Sequence, residues 1–318
     1  MLKRTLLAVA LAALCGNARA DSWPSKPVRV VVPYAAGGSS DVLARPWAEQ
    51  LSRSLGQQFV IDNKGGASGT IGTEAVAKSA SDSYTLLIAP NSALLLVPQL
   101  RKVPYDWDKD FLPVAHVGAM FSGIAVNPAV APVKTMQELY AYARAHPDEL
   151  TCGSAGLGTS THLRCEQIAA KGGVKIRHIP YRGNAEMLND LLGGHIAMTS
   201  EIIVFPHAKA GKLNLLAIID DQRHPEFPDV PALAEAGVPD LEVPIWYGLF
   251  APKGTPREIV ARLSDAARAI GRTDEMKARL MTIGFRPADR SPEQIHAGMV
   301  EEWATTGRMV KALDIKLE

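Results

Sequence analysis

Cysteine is scarce in this chain: three residues in 318, Cys15, Cys152 and Cys165. Cys152 and Cys165 with scattered histidines match no compact metal-ligand spacing, so a structural zinc site is not expected. Charge of either sign is not in excess, with 34 basic against 33 acidic residues and no basic tract. That argues against nucleic acid or an anionic membrane surface as the main partner. No Gly-Lys-Ser/Thr tripeptide exists, which excludes a P-loop, and Gly153-x-x-Gly156-x-Gly158 reverses the dinucleotide fingerprint. There is no G-x-S-x-G elbow and no H-E-x-x-H. No cofactor and no catalytic residue is therefore expected.

Long apolar runs are also missing, with one exception near the start. Lys3 and Arg4 precede Leu6–Leu14, and Ala18-Arg19-Ala20 follows. A basic start, a short hydrophobic stretch and an A-x-A site form a secretory signal, cleaved after Ala20. The run is too short for a membrane span, which needs about 20 apolar residues. Bulky Leu14 ahead of Cys15 disfavours a lipoprotein. The mature chain is expected to be exported and soluble. Of its two remaining cysteines, Cys152 falls at a strand end and Cys165 on the next helix. In an oxidising compartment they form either a disulfide or two buried thiols. About 300 mature residues suggest two domains.

The remaining pattern alternates strand and helix. Strands are expected at Val28–Val32, Phe59–Asp62, Thr85–Ala89, Ile124–Val126, Leu150–Gly153, Ile176–Ile179 and Ile196–Thr199. Helices are expected at Asp41–Leu55, Ile71–Lys78, Met136–Ala145 behind Thr135, Thr161–Ala170, Glu186–Leu192, Pro256–Ile270 and Ser291–Leu313. Short apolar strands separated by helices imply an α/β fold of mostly parallel sheets flanked by helices. Two extended segments, near Gly123–Val126 and Val243–Phe250, are expected to cross between domains and act as a hinge. The expected division is 1–20 as signal peptide, 21–123 plus 250–318 as domain 1, and 124–249 as domain 2.

In open parallel sheets ligands sit beyond the carboxyl ends of the strands. The glycine- and hydroxyl-rich loops fall there: Tyr34–Asp41, Lys64–Thr70, Asn91-Ser92, Ser154–Thr161 and Pro180–Gly183. The first, Pro33-Tyr34-Ala35-Ala36-Gly37-Gly38-Ser39-Ser40-Asp41, breaks a strand and opens a helix. Backbone N–H groups left without partners there, with the helix dipole, make an anion seat. Ser154–Thr161 repeats that logic, with Ser154, Thr159, Ser160 and Thr161 supplying hydroxyls and a cap. Ser154 beside His162 or His178 reads as structure rather than as a nucleophile and base. His178 orients the loop after its strand, and Tyr181 offers a ring or hydroxyl. Glu201, at another strand's end, either accepts a hydrogen bond from a ligand amine, amide or protonated acid or is a solvated helix start. Trp246 and Tyr247, on the expected crossover, either wall the cleft or pack in the core.

These motifs, with Asn63-Lys64-Gly65-Gly66-Ala67-Ser68-Gly69, Asp190-Leu191-Leu192-Gly193-Gly194, Pro228–Gly237 and Trp246–Pro252, resemble the periplasmic solute-binding proteins of tripartite tricarboxylate transporters, the Bug receptors. The resemblance spans nearly all of the mature chain. It implies a periplasmic clamshell receptor that closes on a small organic carboxylate and works with membrane permease subunits. It assigns ligand contacts to Tyr34, Ala36, Gly38, Ser39, Ser40, Ser92, Ser154, Thr159, Ser160 and Tyr181. A monomer is expected. The competing expectations are an exported hydrolase or transferase using the same cleft, and a receptor that presents its ligand to a sensor protein.

Overall fold

The computed structural model describes residues 23–239, 241 and 245–312. The predicted leader, its cleavage site and Cys15 lie outside the described residues, as do Val243, Pro244 and Leu313.

The β-branched run Val28–Val32 forms β1, buried along nearly its whole length. It breaks at Pro33, and α1 (Ser39–Leu55) follows, closed by Gly56 in the left-handed conformation with its N–H on Ser52 O. Next come β2 (Phe59–Asn63), a single 3-10 turn at Ala67–Gly69, α2 (Thr70–Ala77), β3 (Thr85–Pro90), and the short helices α3 (Asn91–Leu95) and α4 (Val97–Leu100). After β4 (Phe111–Met120) the chain crosses at Phe121-Ser122 into a second sheet.

That sheet is built from β5 (Gly123–Val126), α5 (Met136–Ala145), β6 (Thr151–Ser154), α6 (Ser160–Gly172), β7 (Arg177–Pro180), α7 (Asn184–Gly193) and β8 (Met198–Glu201). A 3-10 turn, α8 (Phe205–Lys209) and β9 (Asn214–Ile218) complete it. The chain returns to the first sheet as β10 (Trp246–Pro252) and ends with α9 (Arg257–Arg272), α10 (Asp274–Thr282), β11 (Phe285–Arg286) and α11 (Pro292–Ala312).

The strand orders are β11-β4-β10-β3-β1-β2 and β7-β6-β8-β5-β9. Both sheets are mixed. β1 runs parallel to β2 and β3, and β6 runs parallel to β7 and β8, because helices cover each return. The crossing strands enter antiparallel: β10 against β3 and β4, and β5 against β8 and β9. Each sheet is buried on both faces. Val30, Trp47 and Phe285 pack on one side of the first sheet and Leu87, Leu94 and Phe250 on the other. Leu139 and Ile168 cover one side of the second sheet, and Met187 and Leu191 cover the other.

Two differences from the sequence reading have physical causes. Residues 111–120 form the longest strand, although Pro113 and Gly118 interrupt its pattern; its register against β10 shifts twice. Gly123 already pairs in the second sheet, and Trp246–Leu249 pair in the first, because all of β10 is buried between β3 and β4. The sheets therefore exchange at 121–122 and between 219 and 245, slightly displaced from the predicted boundaries. Of the two alternatives for Cys152 and Cys165, the disulfide is the one formed, across β6 and α6 with Cα atoms 5.9 Å apart.

Candidate functional site

Three helices open toward the space between the sheets: α1 behind Gly38, α6 behind Thr159 and α7 behind Gly183. The first N–H groups of a helix have no carbonyl one turn back, and the dipole adds partial positive charge there. Around this point lies a narrow cavity of about 30 Å³, lined from the first sheet by Tyr34, Gly38, Ser39, Ser40 and Ser92, and from the second by Thr159, Ser160, Asn184 and Glu201. Ala35, Pro90, Ala155, Thr161, Ile245 and Tyr247 complete the wall. Since one water needs roughly 10–15 Å³ by such a measure, the two sides are nearly shut.

Hydrogen bonds span the cleft. Ser39 Oγ donates to Glu201 Oε2 at 3.0 Å, and Asn184 Nδ2 donates to Glu201 Oε1 at 2.6 Å and to Ser39 Oγ at 2.7 Å. The Ile202 N–H donates to Glu201 Oε2 at 2.8 Å. Farther along, Ser68 Oγ donates to Leu157 O at 2.6 Å. Gly156 allows that approach: its φ is +131°, and a Cβ there would stand 2.9 Å from Ser68 Oγ.

Glu201 is the one charged side chain in this wall. Burial pushes its carboxyl above the ordinary range, while the Ile202 N–H, Ser39, Arg164 and Asn184 pull it back. The amide of Asn184 turns its nitrogen toward the carboxylate, which leaves Oδ1 as a buried acceptor without a partner. Ser160 Oγ is likewise buried and unpartnered. A buried polar group without a bond is costly, so both atoms favour a ligand that supplies one.

The loops behind the wall are braced differently. In the first, Asp41 Oδ2 accepts from the Gly37 N–H and from Arg45 Nε, each at 2.9 Å. In the second, Ser154 Oγ meets His178 Nε2 at 2.6 Å and accepts from the Gly156 N–H at 3.2 Å. Gly158 N–H donates to His162 Nδ1 at 3.0 Å, which places the proton of neutral His162 on Nε2, 3.5 Å from Glu166 Oε1. The two rings stack 3.9 Å apart, and burial, then the neighbouring His162, lowers the pKa of His178 to about 4. The histidines that look scattered in sequence thus meet. Potential ligand atoms of His162, Glu166 and His178 lie within 4.8 Å of one another. Stacked rings, however, do not aim their in-plane lone pairs at one point about 2.0 Å from each, as an ion requires. The trio holds the loop.

Of the residues assigned to ligand contact, Tyr34, Gly38, Ser39, Ser40, Ser92, Thr159, Ser160 and Glu201 reach the cavity. Ala36 faces solvent on the outside of its turn. Ser154 is wholly buried behind the wall, and Tyr181 directs its hydroxyl to Asp190 Oδ2 at 2.7 Å. Tyr247 walls the cleft, but Trp246, on the opposite face of the same strand, does not; its Nε1 donates to Glu302 Oε2 at 2.7 Å. Asn184 was missed. The signal was its place directly after Gly183, at the start of a helix following a strand-end loop.

Two lobes that meet around a donor-rich, nearly neutral cavity define a two-domain solute-binding protein. Residues 43–315 match the family described as "Tripartite tricarboxylate transporter family receptor", and the chain belongs to that family. Protein BugT of Bordetella pertussis is 34% identical over 314 residues, covering 98% of this chain and 96% of BugT. Among solved structures, R. palustris Rpa4515 with adipate superposes with a TM-score of 0.89 at 36% identity, covering 93% of this chain and 99% of that one. MatC from Rhodopseudomonas palustris, with bound malate, gives 0.85 at 31% identity, covering 91% and 100%. Among the described residues no helix is long and apolar enough to cross a membrane.

Proposed function

We propose that this protein is a periplasmic receptor that binds a small organic carboxylate between its two lobes and delivers it to the permease of a tripartite transporter. The carrying observation is the convergence of the α1, α6 and α7 N-termini on a cavity into which one orphaned donor, the Ser160 hydroxyl, projects. Neutral donors hold an anion without leaving a buried charge exposed when the lobes part. The similar structures with adipate and malate support the ligand class. The lobes follow the division 21–123 plus 250–318 and 124–249 moved by a few residues, so that Gly123 joins the second lobe and Trp246–Leu249 the first. Export follows from the leader, removed after Ala20, and the receptor acts as a monomer.

The ligand contacts are Tyr34, Gly38, Ser39, Ser40, Ser92, Thr159, Ser160, Asn184 and Glu201. Closure is stabilised because these groups come from both lobes. Native mass spectrometry of freshly purified protein, followed by calorimetric titration with adipate and malate, tests the reading. One organic acid per chain with a raised melting temperature is expected. Failure of any carboxylate to bind overturns it.

One observation favours a hydrolase instead: Ser154 Oγ and His178 Nε2 are 2.6 Å apart. Ser154 has no exposed surface, and its hydroxyl is engaged within its own loop. A nucleophile must reach substrate, so we assign the pair to bracing. Turnover of carboxylate esters or amides that disappears in Ser154→Ala would reverse the assignment.

A further inference from the structure

A second cavity lies at the hinge, and its chemistry is unlike that of the cleft. It holds about 340 Å³, within the range of small-molecule sites. One side comes from the first sheet: His116 and Met120 on β4, Ile245 and Trp246 at the start of β10, and Arg286 and Arg290 at and after β11. The other comes from the second: Arg164 on α6, and Ile219, Asp220 and Asp221 after β9. Ile245 also lines the cleft, so one side chain stands between the two spaces.

Three arginines face two aspartates there. Asp220 is already occupied, with Oδ2 2.9 Å from Arg286 Nη1, and the exposed Asp221 shares a carboxyl–carboxyl hydrogen bond with Asp220, so the two acids engage each other and Arg286. Arg164 is 1% exposed, and its Nη1 donates to Ser200 O at 3.3 Å. Burial lowers its pKa to about 10, partly offset by Glu201, so it remains a cation at neutral pH. His116 stacks on Trp246, with centroids 5.3 Å apart and planes 21° from parallel. The ring is 5% exposed, and Nδ1 is buried without a partner. Burial, then the charge of Arg290, lowers its pKa to about 4, so the ring is neutral and keeps one N–H to donate.

We propose that the hinge cavity is a second anion site, in which Arg164, Arg286, Arg290 and His116 hold a small oxyanion such as phosphate or a dicarboxylate. Guanidinium forks match both shapes, and Trp246 supplies a flat wall. The orphaned His116 nitrogen is the group that most needs a partner. Because Arg164 and the other two arginines come from opposite sides of the crossovers, the anion bridges the hinge. The cleft holds a carboxylate by neutral donors; this cavity holds its anion by charge. The inference does not depend on the carboxylate-receptor reading.

The test is calorimetric titration of the full exported chain with inorganic phosphate and, separately, malonate, at constant ionic strength set by sodium chloride. Saturable binding of at least one anion is expected. It should survive in Ser39→Ala/Ser160→Ala, where the cleft is weakened. It should weaken at least tenfold in Arg286→Gln/Arg290→Gln, two exposed positions, and recover in part with Arg290→Lys. Phosphate binding alone would identify a tetrahedral oxyanion site, and malonate binding alone a carboxylate site. Absence of saturable binding by both anions overturns the proposal. So does binding that is indifferent to the arginine changes or that is lost in the cleft variant. Adipate or malate binding in the cleft is scored separately, so each reading can fail without the other.

Discussion

The loops 33–41 and 154–161 look alike in sequence and differ in how they reach their ligand side. Each leaves a strand, passes through glycines and opens a helix. In the first, α1 has no side-chain cap, Asp41 braces from behind, and Ser39 extends across the cleft to Glu201. In the second, Thr159 caps α6 by accepting from the His162 N–H, and Ser154, Thr159 and Thr161 bond within their own loop. Only Ser160 Oγ is left over among those four hydroxyls. Similar composition therefore yields a helix start without a side-chain cap, reaching across the cleft, on one side and a self-satisfied wall with one projecting hydroxyl on the other. The second wall is built for stiffness.

The largest expected effect breaks the approach of the two loops. Gly156→Ala places a methyl group against Ser68 Oγ at a φ that L residues rarely adopt. Carboxylate affinity should fall at least about a hundredfold, and adding Ser68→Ala should restore part of it by removing the clash. Titration of both variants, with melting curves to follow backbone strain, distinguishes blocked closure from loss of fold. Equal affinity in Gly156→Ala and the parent would mean that the loops do not meet in the bound state.

Next in size are the two serines. Ser160→Ala should weaken binding about tenfold, corresponding to ~1.4 kcal/mol, because its hydroxyl has no partner to give up. Ser39→Ala should cost less, since Ser39 must first leave Glu201. A larger loss at Ser39 would reverse the comparison. Smaller again is Thr159→Ala, which removes the cap of α6 and should lower stability by about 1 kcal/mol in denaturant unfolding. No counterpart is expected at Gly38, where α1 has no side-chain cap.

The smallest effect is a pH dependence from Glu201. Its carboxyl is raised by burial, so the folded state holds a proton that the unfolded state releases above about pH 4.5. Its contribution is neutral well below that pH and increasingly unfavourable as pH rises through the folded value. The melting temperature of Glu201→Gln relative to the parent should therefore shift in the variant's favour between pH 4 and pH 8. A difference that stays flat across that range would place Glu201 in contact with solvent or a stronger cation.

The strand ends and loop chemistry were legible because they are local. Val28–Val32 forms its strand, and Thr135 caps α5 with the Glu138 N–H on its hydroxyl at 3.1 Å. The 111–120 strand was not legible, since its stability comes from pairing with β10 and β11 rather than from its own pattern. Half of the site followed the same division. Ser39 and Ser160 could be named from helix starts. Ser154 and Tyr181 carried equally suitable groups that the fold turned toward His178 and Asp190.

By itself, the sequence determined the alternation of strands and helices, the placing of glycine and serine at strand ends, and the family resemblance, because these depend on neighbours along the chain. The tertiary structure alone decided which hydroxyl faces the cleft, and that Glu201 meets Ser39 from 162 residues away. It also gathered Arg164, Arg286 and Arg290 beside His116 at the hinge. Side-chain direction follows from strand register and from the closing of two lobes, and neither is written in any short stretch of residues.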